Sequence, residues 1–165
     1  MTAIEPFDAA MIERYLDLRK LEFDRGGDGR DFIAHVGSRQ GRFRIWMRVS
    51  GPGRNLLTLR VSEAERYGAA QRNRLLELVN EWNRDTRWPK TYVRETSDPA
   101  RVAVVAENCY PLTEGIHFTA FTVFADVTIA GAVRLFEKIS QSIELPSAHT
   151  LQRWLDWPDP AGTAE

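Results

Sequence analysis

A chain of 165 residues, 43% hydrophobic and 27% charged, has the size and composition of one globular domain, large enough to bury a core without disulfide or metal staples. Its 22 Lys and Arg against 23 Asp and Glu leave a formal charge of −1, which argues against a surface built wholly for nucleic acid or anionic membrane. The one cysteine, Cys109, excludes an internal disulfide framework and a thiolate metal cluster. Residues 1–8 lack the regions of a signal peptide, and no apolar run approaches the roughly 18 residues that span a bilayer, so a cytoplasmic location is expected.

In chain order, Phe7, Ala10, Met11, Tyr15 and Leu18 recur at helical spacing and predict a helix over 6–20, with Pro6 in its first turn. The period then changes. Leu21 and Phe23 alternate with Glu22 and Asp24, and Gly26-Gly27-Asp28-Gly29 makes a turn into a second strand over 31–37. Residues 42–49 carry the clearest strand pattern: Phe43, Ile45, Met47 and Val49 face one way, while Arg42, Arg44, Trp46 and Arg48 face the other. Gly51-Pro52-Gly53 turns the chain into a fourth strand with Leu57, Leu59 and Val61. Short turns between alternating strands argue an antiparallel meander, since parallel pairing needs longer crossovers.

A second helix is predicted over 71–84, where Leu75, Leu78, Val79 and Trp82 form an apolar stripe that ends before Trp88-Pro89. Two strands follow, at 91–95 and 102–107; the latter is apolar on both faces, as a central strand would be. A third helix is predicted over 116–142, from Phe118, Phe121, Ala125, Ile129, Ala132, Leu135, Phe136 and Ile139, with Gly131 as a kink or a point of close backbone approach. The order α-β-β-β-β-α-β-β-α predicts an α+β two-layer sandwich, an antiparallel sheet with helices on one face. Residues 1–145 form the single domain, and 146–165, with Trp154 and Trp157, are expected to be a partly disordered tail.

The helix with Leu78-Val79-Asn80-x-Trp82-Asn83, followed by a strand opening Pro89-Lys90-x-Tyr92-Val93, resembles the YbjN-like family of bacterial proteins over roughly residues 6–142. The resemblance implies a sensory transduction regulator whose fold looks like that of type III secretion chaperones.

Catalysis needs a nucleophile, base or metal in convergent geometry, and the sequence nominates no catalytic residue, metal site or cofactor. His35, His117 and His149 lack the spacing of a helical His pair, and no phosphate-binding or dinucleotide fingerprint occurs. Cys109, flanked by Glu107 and Glu114, reads as structural rather than reactive. The informative stretch is 38–62, with Arg39, Arg42, Arg44, Arg48, Arg54 and Arg60 and no acid. Arg42, Arg44 and Arg48 would share a strand face with Trp46, and Arg60 would lie on a neighbouring strand. Such a face is the solvated side of a sheet, an interface anchored by Trp and Arg, or a surface that stacks bases and holds phosphates. Asn80 and Asn83 would either line a groove or tie the helix to the next strand by hydrogen bonds to backbone. The expected function is a non-enzymatic regulatory or chaperone-like domain that binds a protein partner, its own second copy included. The alternative is a nucleic-acid-binding module on the same Arg/Trp face.

Overall fold

The computed structural model describes residues 3–38, 41–63 and 67–143. Arg39, His149 and the tail over 146–165 with Trp154 and Trp157 lie outside the described residues. The first helix, α1 (Ala9–Leu18), starts later than its apolar pattern suggests. Pro6 precedes it, and Asp8 caps it, its carboxylate accepting the Met11 N–H at 3.0 Å.

Seven strands form one sheet: β2 (Phe23–Arg25), β3 (Asp31–Ser38), β4 (Gly41–Ser50), β5 (Leu56–Glu63), β6 (Tyr67–Gly68), β7 (Lys90–Glu95) and β8 (Arg101–Pro111). Every pairing is antiparallel, and the meander β2-β3-β4-β5 continues onto β8. β5 and β7 both pair with Val105, Ala106 and Glu107, so they flank β8 on opposite sides and make it an inner strand. That position explains its apolar run: Val102 to Ala106 are all buried.

The register places Phe32, Met47 and Leu59 in one row across the sheet and Ala34, Ile45, Val61 and Ala106 in the next. These rows, with the inner stripes of α1, α2 (Arg72–Asp85) and α3 (Phe118–Ser142), form one core cluster, so all three helices cover the same face. The fold is the predicted α+β sandwich. Two-residue strands β1 (Ile4–Glu5) and β9 (Ile116–His117) add a separate small ladder.

By length and composition α3 is apolar enough to cross a bilayer, more so than its interrupted sequence suggests. Its Phe121, Ala125, Ala132, Leu135, Phe136 and Ile139 are buried in the domain core instead. The β-formers between Phe121 and Phe124 stay helical because Phe121 packs against Phe7 and Tyr15 of the α1 region (ring centroids 6.1 and 5.8 Å apart), and tertiary packing overrides propensity. Tyr15 and Arg19 both donate to Asp126, which ties α1 to α3. Of the two roles for Gly131, the structure shows close approach: a Cβ there would lie 2.7 Å from Cδ of Pro89.

Candidate functional site

Two surfaces of the described residues stand out: the sheet face away from the helices, and a groove beside α3. On the first, the register brings Trp46, Arg60, Glu107 and Lys90 into a single row across β4, β5, β8 and β7. The Arg60 guanidinium lies over the Trp46 ring, 4.7 Å from its centroid, and its Nε donates to Glu107. Lys90 Nζ reaches the other oxygen of Glu107 at 2.8 Å, and Tyr92 Oη donates to that carboxylate at 3.1 Å. Glu107 is only 6% exposed. Burial alone would raise its pKa, but the hydrogen bonds from Lys90, Arg60 and Tyr92 outweigh it and hold the carboxyl below its ordinary value.

The sequence showed six arginines and no acid between 38 and 62; folding supplies the acids from elsewhere. One nitrogen of Arg48 donates to both carboxylate oxygens of Asp31 (2.9 and 2.7 Å) and another approaches Asp28, while Arg60 is held by Glu107. Arg42 and Arg44 are exposed and have no charged partner among the described residues. Arg42, Arg44, Trp46 and Arg48 lie on one face of β4 and Arg60 of β5 joins them opposite Trp46, but two of the four cations are neutralised and Trp46 is half-buried beneath Arg60. Asp31 and Glu107 lie outside the 38–62 segment and meet its arginines only across strands.

Because the carboxylate is stabilised in the folded state, its contribution is fully present above the pKa of the unfolded chain and is lost as pH falls through the lowered folded value. We expect Glu107→Gln to cost about 1–2 kcal/mol at pH 7. The gap to the parent should close progressively in acid, as followed by urea unfolding between pH 7 and pH 3. A gap that stays constant with pH would show that the charge on Glu107 contributes nothing.

The second surface went unseen in the sequence. A groove of about 650 Å³ runs between the N-terminal half of α3 and the end of β8, walled by Tyr110, Phe124, Val123, Val127, Ile116 and Trp88. Trp88 is 61% exposed, Val123 56%, Val127 48% and Tyr110 43%, so the apolar wall is open to solvent. The polar groups at its floor satisfy one another: Asn108 Nδ2 donates to Thr128 Oγ1, and that hydroxyl donates to the Phe124 carbonyl, each at 2.9 Å. The α3 sequence held the signal, in that Ala120, Val123 and Val127 repeat at i, i+3 and i+7 on the side opposite its buried stripe.

The groove also borders a strand edge that no other described residue pairs with. The Leu112 N–H donates to the Asn55 carbonyl at 2.7 Å, so even-numbered residues of β8 turn their backbone groups towards β5 and odd-numbered ones towards β7. β7 begins at Lys90, opposite Glu107. Cys109, two residues on, therefore points its N–H and C=O past the end of β7. Pro111 occupies the next such position, where its missing N–H costs no ladder bond. The Cys109 thiol points to the other face of the sheet, 3.7 Å from Thr58 Oγ1, and the residue is exposed rather than a core cysteine.

At Thr91 the outer edge of β7 is closed. Asn83 of α2 accepts the Thr91 N–H and donates to the Thr91 carbonyl, both at 2.9 Å, filling the place of a neighbouring strand. Asn83 thus ties helix to strand, whereas Asn80 is exposed. Trp82 belongs to the core, its Nε1–H donating to the Pro89 carbonyl at 3.0 Å. Among the described residues no three His, Cys, Asp or Glu side chains converge as metal ligands would.

Comparison with known proteins bears on the same domain. None of the curated proteins matches the chain. A solved structure titled "Crystal structure of YbjN, a putative transcription regulator from E. coli" is similar with a TM-score of 0.66 at 12% identity, over 90% of this chain and 97% of that one. At that identity the likeness speaks for the fold. A family model, YbjN, described as "Putative bacterial sensory transduction regulator", matches residues 8–140. The match spans α1, the whole sheet and nearly all of α3, and the chain belongs to the YbjN family.

Proposed function

We propose that this chain is a non-enzymatic regulatory domain that acts by holding an extended, apolar segment of a protein partner in the groove beside α3. The observation that carries this reading is the coincidence of an open apolar wall with a strand edge left unpaired among the described residues. A segment laid along β8 would take the Cys109 N–H and C=O in the line that β7 vacates, and its alternate side chains would enter between Tyr110 and Val123. Trp88 at the lip is an anchor of the kind that dominates protein interfaces. A chaperone-like role and the regulator description of the family are both consistent with such a site. On the Arg/Trp face, the pairing of Arg48 and Arg60 leaves fewer cations for phosphates than the sequence suggests.

Selection of a displayed library of random peptides on the purified chain tests the reading. Enriched sequences are expected to be apolar or aromatic at alternate positions. Val123→Arg, which alters an exposed side chain and should leave folding intact, is expected to weaken them at least tenfold. No enrichment, or binding indifferent to Val123→Arg, would refute it.

A further inference from the structure

The groove, on the reading just given, needs an occupant when no partner is present, and we infer that the C-terminal segment 144–165 of the same chain is that occupant. Reach permits it. The described chain ends at Ile143, where α3 has closed, and Val123 lies about 30 Å back along the helix at about 1.5 Å per residue. Trp154 stands eleven positions beyond Ile143, a span of up to about 36 Å when extended. The segment can therefore fold back along α3 and deliver Trp154 and Trp157 to the groove.

Composition fits as well. Leu151, Trp154, Leu155 and Trp157 fall within seven positions, a density of large apolar groups that a solvated tail does not require. Each indole brings roughly 150–250 Å² of surface to cover, and the exposed wall of Val123, Val127, Tyr110 and Trp88 is an apolar surface within reach. Charge is complementary too. The segment carries Glu144, Asp156, Asp159 and Glu165 against the single Arg153. Arg134, on α3 between Ile143 and the groove, and Arg87, next to Trp88 at the lip, are exposed and without a charged partner among the described residues. A partner would then have to displace the segment, which makes the tail a built-in competitor for the site.

The test uses the full chain with anilinonaphthalene sulfonate as the groove probe, comparing the parent with Trp154→Ala/Trp157→Ala, each with and without Val123→Arg. The double tail variant is expected to bind the dye at least fivefold more than the parent, and Val123→Arg to remove the gain. Equal dye binding by parent and tail variant, lowered in both by Val123→Arg, would overturn the tail assignment while leaving the groove as a binding site. No Val123-dependent binding in either would overturn both. A parent that sediments as a dimer and becomes a monomer with Val123→Arg would show a second copy in place of the tail, and so overturn the inference.

Discussion

Trp82→Ala is expected to lower the stability of the domain by about 3–5 kcal/mol, the range for removing a buried large aromatic. The indole sits on the inner stripe of α2 among Leu75, Leu78 and Val79, 8% exposed. Its Nε1–H also satisfies the buried carbonyl of Pro89. Pro89 in turn rests against Gly131 of α3, so one side chain fixes the connection between α2 and β7 and, through it, the seat of the longest helix. Removing it opens a cavity and leaves a carbonyl unpaired. Trp82→Phe separates the two terms, retaining most of the packing and losing the hydrogen bond, at an expected cost of about 1–2 kcal/mol. Urea unfolding at neutral pH reads both. A loss below 1 kcal/mol for the alanine variant would show that the indole does not hold this junction.

The second large effect is expected at Asn83. Thr91 is 4% exposed, and its backbone N–H and C=O face away from β8 towards that one amide. Asn83→Ala leaves both groups without a protein partner, at about 2–3 kcal/mol after some rescue by water. Asn83→Asp keeps an acceptor for the N–H but presents no donor to the carbonyl, and should fall between the two. A further consequence is specific to edge strands: once the amide is gone, β7 offers an open backbone edge, and concentration-dependent association should appear in sedimentation. A variant as stable and as monodisperse as its parent would show that the side chain is not a substitute strand.

The alternation of Phe43 to Val49 and the stripe from Leu75 to Trp82 placed the main strand and the second helix within a residue or two of their ends, because both lie half-buried, where periodicity is strongest. The two-residue strands escaped notice, since Ile4–Glu5, Tyr67–Gly68 and Ile116–His117 are too short to show a period. The predicted Arg/Trp face was legible as a face but not as a charge distribution. Arg60 meets Glu107, and Arg48 meets Asp31, only across strands whose register depends on the whole meander. The groove was harder still, arising where β8 outruns β7, a difference in strand length that residue types do not encode.

The small ladder of β1 and β9 places Ile4 opposite His117, and His117 lines the groove. The amino end of the domain is therefore a neighbour of the site. Any protein or affinity handle fused before Ile4 arrives at the groove mouth and crowds whatever binds there. One fused after residue 165 would instead lengthen the segment that competes for the same space. Handles attached at Gly27, in the turn between β2 and β3 where a Cβ would meet no atom within 4 Å, avoid both sides of the groove.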